Sequence, residues 1–125
     1  MSSLPTKGQV IAIVDDDPGF LKGLKRLLDA CGFTTEVFAS GEEFLDRDST
    51  SDIACIVLDI NLGGMSGIEV RRRLAGRGST IPVIFITALD TAATRKEAMD
   101  AGYAAFLGKP FSGRALIDAI REALF

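Results

Sequence analysis

Five short apolar runs alternate with five stretches whose apolar residues recur at helical spacing, and this alternation constrains the fold more than any other feature. Uninterrupted apolar runs are typical of strands that are covered on both faces. Strands that alternate with helices in this way indicate a parallel sheet with right-handed crossovers. The predicted strands are Val10–Val14, Thr34–Phe38, Ile53–Leu58, Ile81–Ile86 and Ala104–Leu107.

The stretches between these runs carry the start and stop signals of helices. Asp17 precedes the first helix and Gly32 stops it. Ser40 with Glu43 forms a capping box at the second helix, and Ser112 caps the last one. The two remaining helices are predicted over Ile68–Leu74 and Ala92–Ala101.

The lengths of these segments match a flavodoxin-like, doubly wound α/β sheet of five parallel strands in the order 2-1-3-4-5, with helices on both faces. We expect a single domain over residues 1–125, with an ordered core from about residue 8 to 124 and no output domain. In this order the first and third strands lie side by side, where the winding direction of the sheet reverses. Ligands of such sheets bind outside the carboxyl ends of the strands at that switch point.

The charge balance and the absence of histidine exclude several classes of function. Fourteen Lys and Arg against 17 Asp and Glu give a net charge of −3, which argues against nucleic acid as a partner because phosphate-backbone binding needs a basic face. Without histidine, His-based zinc sites and Ser–His or Cys–His catalytic pairs are excluded. No apolar run approaches the ~20 residues that span a bilayer, and MSSLPTKG has no apolar signal region. We therefore expect a cytoplasmic domain without a membrane partner, in which Cys31 and Cys55 are buried thiols.

Polar residues follow four of the five predicted strands. Asp15–Asp17 follow the first strand, Asp59 follows the third, Thr87 the fourth and Lys109 the fifth. The carboxyl ends of parallel strands meet at one edge of a sheet, so we expect these side chains to lie together. One such residue alone is usually a loop residue or a helix cap, but the four together indicate a functional site.

This combination of residues predicts a site for a phosphoryl group beside a metal ion. Clustered carboxylates raise one another's pKa and destabilise the fold unless a cation lies among them. Hard oxygen ligands without histidine or thiolate favour Mg²⁺ over zinc. Magnesium takes one or two carboxylates and shares its other positions with water and phosphate. Lys109 would add a second positive charge, and Thr87 would donate a hydrogen bond to a phosphoryl oxygen.

The motifs at the strand ends resemble those of the receiver domains of two-component response regulators. They are IVDDDP at Ile13–Pro18, VLDI at Val57–Ile60, FITA at Phe85–Ala88 and KPF at Lys109–Phe111. Their order and spacing agree over essentially the whole chain, and the four together are far more specific than any one. The segment EVFASGEEFLD is similar to receivers of the nitrogen-fixation branch, which carry LuxR-type output domains.

The resemblance implies a role for each site residue. Asp59 would accept a phosphoryl group from a phosphohistidine of a histidine kinase or a histidine phosphotransfer protein. Asp15, Asp16, the side chain of Asp59 and the main-chain carbonyl of Asn61 would hold Mg²⁺. Lys109 would pair with Asp59 at rest and with the phosphoryl group afterwards.

The resemblance also implies a switch. Thr87 would swing toward the phosphoryl group, Phe106 would move inward into the space that it leaves, and the Lys109–Pro110 bond would be cis. The result would be an altered affinity of the face formed by the fourth helix, the fifth strand and the fifth helix, including a phosphorylation-dependent homodimer. The domain would be a signalling switch that catalyses only its own phosphorylation and dephosphorylation, not a metabolic enzyme.

One position departs from the pattern of the family. Receivers commonly carry proline four residues after the acceptor, where this chain has Gly63 followed by Gly64. Glycine leaves the chain more conformational freedom than proline does. We therefore expect a more mobile loop beside the site.

Two other functions fit part of the pattern. An aspartyl-phosphate hydrolase of the haloacid-dehalogenase type would use Asp15 as nucleophile and Asp17 as second acid. It would require Thr or Val where Gly19 stands, and a chain this short has no room for a cap domain. A flavin or nucleotide carrier is disfavoured, because three acids after the first strand would repel phosphate where such folds need a neutral glycine-rich loop.

Overall fold

The computed structural model of the chain describes residues 10–47 and 52–125, which form a five-stranded sheet flanked by helices. All strand pairings in it are parallel, and the order is β2-β1-β3-β4-β5, which confirms the predicted class and order. The ordered core was expected to begin near residue 8, which lies outside the described residues. The strands are β1 (Val10–Val14), β2 (Thr34–Phe38), β3 (Ile53–Asp59), β4 (Val83–Thr87) and β5 (Ala105–Gly108). The helices are α1 (Pro18–Ala30), α2 (Gly41–Leu45), α3 (Gly67–Gly76), α4 (Ala92–Ala101) and α5 (Gly113–Leu124).

The sheet is covered on both faces, since successive side chains of a strand point to opposite sides. In β1, Ala12 and Val14 pack into one core cluster, whereas Ile11 and Ile13 pack into the other. Residues of α2, α3 and α4 complete the first cluster, and residues of α1 and α5 complete the second. The winding therefore reverses between β1 and β3. Among the described residues, no helix has the length and apolar character needed to cross a membrane.

Each of these five helices begins at a side-chain cap that accepts a hydrogen bond from a main-chain N–H of the first turn. Such a cap stabilises a helix by about 1 kcal/mol. The predicted cap at Ser40 is confirmed, because the Glu43 N–H donates to Ser40 Oγ (3.0 Å), but the Glu43 carboxylate accepts from the N–H of Ala39 (2.9 Å), one residue before the cap that a capping box would use. The caps are Asp17, Ser40, Ser66, Thr91 and Ser112.

Several predicted bounds differ from the structure: β3, β4 and β5 each end one residue later than predicted, β5 begins at Ala105, and α3 extends over Gly67–Gly76. β4 begins at Val83 instead of Ile81, because Pro82 has no N–H for the ladder and only its carbonyl takes part, accepting from the Ile56 N–H (3.0 Å). Cys31 is exposed, although Cys55 is buried as expected. The reason is that α1 ends at Ala30, so Cys31 forms the C-cap and leaves the apolar stripe of the helix.

Candidate functional site

The acids that follow β1 and end β3 lie together at the carboxyl edge of the sheet. Carboxylate oxygens of Asp15, Asp16 and Asp59 lie within 4.8 Å of one another. The parallel pairing of β1 with β3 brings them together, since Val14 and Leu58 are partners directly before the acids. The Asp15 and Asp59 side chains are 1% and 5% exposed, whereas Asp16 faces solvent. Two buried carboxylates and one accessible carboxylate thus form the predicted cluster.

One ammonium group bridges the two buried carboxylates. Lys109 Nζ lies 2.7 Å from Oδ2 of Asp15 and 3.2 Å from Oδ2 of Asp59. The main-chain N–H of Lys109 donates to the carbonyl of Thr87 (2.7 Å), which fixes the lysine against the end of β4. The Lys109–Pro110 bond is cis, as expected. Three carboxylates and one ammonium leave two negative charges, which a divalent cation would balance.

The surroundings of Asp59 disfavour its ionised form. Burial raises the pKa of Asp59 above its ordinary value, and the negative charge of Asp15 raises it further. The N–H of Asn61 opposes this shift by donating to Asp59 Oδ1 (3.0 Å), as does the charge of Lys109. Burial lowers the pKa of Lys109, but its hydrogen bond to Asp15 and the attraction of Asp59 outweigh this and raise the pKa overall. Lys109 therefore stays charged at neutral pH, and further positive charge would stabilise ionised Asp59.

Thr87 contacts the loop after β3 through its side chain. Its hydroxyl donates to the amide oxygen of Asn61 (2.5 Å) and accepts from the N–H of Leu89 (3.0 Å). As a metal ligand Asn61 was assigned only its main-chain carbonyl, and this side-chain bond was not predicted. Nothing in the sequence signals it, since the partners lie 26 residues apart.

Phe106, the predicted switch residue, lies half-buried on β5 and is covered by an arginine. The guanidinium carbon of Arg95 lies 4.6 Å from the centroid of the Phe106 ring. Asp90 holds this guanidinium by hydrogen bonds of 2.6 and 2.9 Å. The ring also packs against Tyr103, with centroids 5.8 Å apart. Phe106 is thereby linked to the loop that follows Thr87 and to α4.

Asp17 does not join the acid cluster. Its Oδ1 accepts from the N–H groups of Gly19 (3.0 Å) and Phe20 (3.2 Å), so its carboxylate caps α1. The cap places Phe20 in the first turn of α1, where the ring centroid lies 4.2 Å from Nζ of Lys109. The sequence predicted no role for Phe20 at the site. The sequence feature that could have indicated a role for Phe20 is its position, one helical turn after the acids.

The loop between β3 and α3 passes close to the acids. A β carbon at Gly67 would overlap the main-chain carbonyl oxygen of Asp59, so only glycine allows α3 to begin there. A β carbon at Gly63 would lie 3.5 Å from Oδ2 of Asp16, which is an ordinary contact. Packing therefore requires glycine at position 67 but not at position 63.

The comparisons with known proteins all identify the same family. A profile described as the response regulator receiver domain matches residues 11–121. The response regulator protein TodT of Pseudomonas putida is 37% identical over 118 residues, which are 94% of this chain and 52% of TodT. The chain thus spans about half the length of the curated relatives it matches.

Solved structures agree with this result. The low-resolution structure of the response regulator StyR has a TM-score of 0.84 and 41% identity, over 92% of this chain and 58% of that one. The crystal structure of FixJ-N has a TM-score of 0.86 and 33% identity, over 95% of both chains.

The profile match, the strand order and the acids at the switch point all lead to one family. Receiver domains are signalling domains, and response regulators that contain them work with histidine kinases. The chain belongs to the receiver domains of two-component response regulators.

Proposed function

We propose that Asp59 accepts a phosphoryl group and that its phosphorylation alters a protein-binding face of the domain. The observation that carries this proposal is the position of the buried Asp59 carboxylate, beside the ammonium of Lys109 and within 4.8 Å of carboxylate oxygens of Asp15 and Asp16. Phosphoryl transfer depends mainly on positioning and on neutralisation of charge. The site offers both at one carboxylate.

In the proposed reaction, a carboxylate oxygen of Asp59 attacks the phosphorus of a phosphohistidine on a partner histidine kinase or histidine phosphotransfer protein. The new P–O bond forms as the P–N bond breaks, and the imidazole leaves with the bonding electron pair. The chain has no histidine, so this domain does not supply the phosphohistidine itself. Lys109 stays beside the reacting carboxylate and donates a hydrogen bond to a phosphoryl oxygen. We expect this exchange to take place in the cytoplasm.

The acid cluster fits Mg²⁺, because its donors are all oxygens and its carboxylate oxygens lie within 4.8 Å of one another. Asp15, Asp16, Asp59 and the main-chain carbonyl of Asn61 would hold the ion. When bound, it would supply positive charge against the charge that develops on the phosphoryl oxygens.

The proposed switch begins at Thr87. Its hydroxyl would exchange the amide oxygen of Asn61 for a phosphoryl oxygen, and Phe106 would move inward behind it. The face formed by α4, β5 and α5 would then change its affinity for a second copy of the chain or for another protein. Phosphorylation would act by shifting the population toward a minor conformation that already exists.

Labelling by acetyl phosphate tests the acceptor. We expect intact-mass spectrometry to detect one phosphoryl adduct on the wild type in the presence of Mg²⁺ and none when the metal is chelated. Asp59→Asn should abolish the adduct, whereas Asp46→Asn, an exposed acid at the end of α2, should keep it. Intact labelling of Asp59→Asn would remove Asp59 as the acceptor.

Analytical ultracentrifugation with and without beryllofluoride tests the proposed phosphorylation-dependent homodimer.

The structure does not favour the hydrolase. The carboxylate of Asp17, which the hydrolase would use as second acid, caps α1. The hydrolase would be supported if the wild type turned over a phosphomonoester steadily, Asp15→Asn lost this activity and Asp59→Asn kept it.

A further inference from the structure

We propose that Phe20 is a positioning residue that holds the ammonium group of Lys109 in place for the phosphoryl group. The inference rests on the proposed function, because it assigns Phe20 a part in binding the phosphoryl group at Asp59. It concerns a residue of α1 that contributes no polar atom from its side chain to the site.

Three groups surround the Lys109 ammonium. Two are the buried carboxylates of Asp15 and Asp59, at 2.7 and 3.2 Å, and the third is the Phe20 ring, whose centroid lies 4.2 Å away. At this distance the electron-rich face of an aromatic ring attracts a cation. The lysine side chain is 20% exposed, so the attraction is less screened than at a fully hydrated surface.

The ring is itself held from two sides. The Asp17 carboxylate caps α1 and accepts from the Phe20 N–H (3.2 Å), which fixes the backbone that carries the ring. Phe111 packs edge-on against Phe20, with centroids 6.0 Å apart and planes at 83°. Since Phe111 follows Lys109 by two residues, the segment that carries the lysine also packs against its aromatic partner.

This arrangement limits where the ammonium group can go. A lysine has a long, flexible stem and loses side-chain entropy when its head is fixed. The ring keeps water from one part of the ammonium and confines the ammonium to positions near Asp15 and Asp59. After phosphorylation the ammonium would change its hydrogen-bond acceptor while it stays beside the ring. A leucine at position 20 would fill part of the space but would offer no π face.

The ring contact can be measured without any phosphoryl chemistry. In the NMR spectrum of the unmodified protein, the ring current of Phe20 should shift the ε-methylene protons of Lys109 upfield, with the assignment made from Lys109→Arg. Phe20→Leu should remove the shift, and Phe20→Tyr should keep it. Phe33→Leu is the matched control, since Phe33 packs against the same core cluster but follows the far end of α1.

Binding of beryllofluoride, a phosphoryl mimic, then measures the consequence. In saturating Mg²⁺, we expect Phe20→Leu to raise the dissociation constant measured by ¹⁹F NMR about three- to tenfold. Phe20→Tyr should restore the wild-type value, and Phe33→Leu should not change it. Both leucine variants lose the same atoms, so an effect confined to Phe20→Leu ties the change in affinity to position 20, and the ring-current shift ties it to the contact of the ring with Lys109.

Different results overturn different claims. A Lys109 signal without an upfield shift in the wild type would refute the ring contact itself. An unchanged dissociation constant in Phe20→Leu, or a loss that Phe20→Tyr does not repair, would refute the positioning role and leave the acceptor function intact. Wild-type protein that fails to bind beryllofluoride in Mg²⁺ would overturn both the positioning role and the proposed function.

Discussion

At the scale of single residues, the site places Asp59 where its negative charge is poorly compensated. Burial raises the pKa of its carboxyl group, and the neighbouring Asp15 adds to that shift. The folded state therefore binds a proton at Asp59 more tightly than the unfolded chain does. As the pH rises from the ordinary pKa of 3.8 to the raised pKa in the fold, Asp59 lowers the free energy of unfolding, because the folded state holds the proton that the unfolded chain has lost.

Asp59→Asn should therefore raise the free energy of unfolding at neutral pH in metal-free buffer. The difference in free energy of unfolding between Asp59→Asn and the wild type should grow as the pH rises from the ordinary pKa of Asp59 to its raised pKa in the fold. Above the raised pKa the difference should stay constant. Urea denaturation at a series of pH values with EDTA measures it.

Asp16→Asn is the control for this experiment, since Asp16 belongs to the same cluster but is exposed. It should change stability much less. An equal gain in both variants would mean that net charge, and not the burial of Asp59, sets the effect.

The sequence predicted the polar residues of the site better than their side-chain partners. Asp59, Thr87 and Lys109 could be placed because a parallel sheet fixes where strand ends meet, and strand ends are a local property of the sequence. The contact of Phe20 with Lys109 could not be placed in this way. It depends on rotamers and on packing between opposite ends of the chain, which no short-range pattern encodes.

At the scale of elements, α4 is the least firmly anchored of the described helices. Ala98 is its one fully buried residue. Two arginines connect its ends to neighbouring segments. Arg71 of α3 donates to the carbonyl of Gly102 (3.1 Å), and Arg95 joins Asp90 of the preceding loop while it covers Phe106.

The arginine run at 71–73 is only partly a solvated helix face, and Arg71 is the exception. That side chain is half-buried, whereas Arg72 and Arg73 are exposed. The bounds predicted for α4, Ala92–Ala101, are confirmed, and the residues that set them, the cap Thr91 and the stop Gly102, act at short range. The docking of α4 by arginines is a tertiary property, so it could not be predicted.

Arg95→Ala should shift the conformational equilibrium toward the activated state. Loss of the guanidinium uncovers the Phe106 ring and removes an interaction that the inward position of the ring cannot make. We expect the affinity for beryllofluoride in Mg²⁺ to rise about two- to fivefold, as measured by ¹⁹F NMR. Lys96→Ala, at the next and also exposed position of α4, should leave it unchanged. Weaker binding by Arg95→Ala would show that the arginine supports the activated state instead.

At the scale of the whole molecule, the two uncompensated negative charges of the site couple metal binding to folding. The acids come from distant parts of the chain and converge only in the fold, so an ion bound there stabilises the folded state by mass action.

At a free Mg²⁺ concentration ten times the dissociation constant, the free energy of unfolding should rise by about 1.4 kcal/mol. Thermal unfolding monitored by circular dichroism measures this gain. NaCl at equal ionic strength controls for screening, and Asp59→Asn should reduce the gain. A gain of the same size from NaCl would contradict a specific site.

The bond between Lys109 and Asp15 joins residues 94 positions apart, and it bears on synthesis of the protein. A ribosome delivers the aspartates long before the lysine, so a nascent chain still lacking β5 holds the acids without their counter-charge. The pocket for the phosphoryl group would be completed only when β5 emerges and docks. The domain would therefore become able to accept a phosphoryl group only after β5 has docked. A chain that terminates before β5 would be inactive, not partly active.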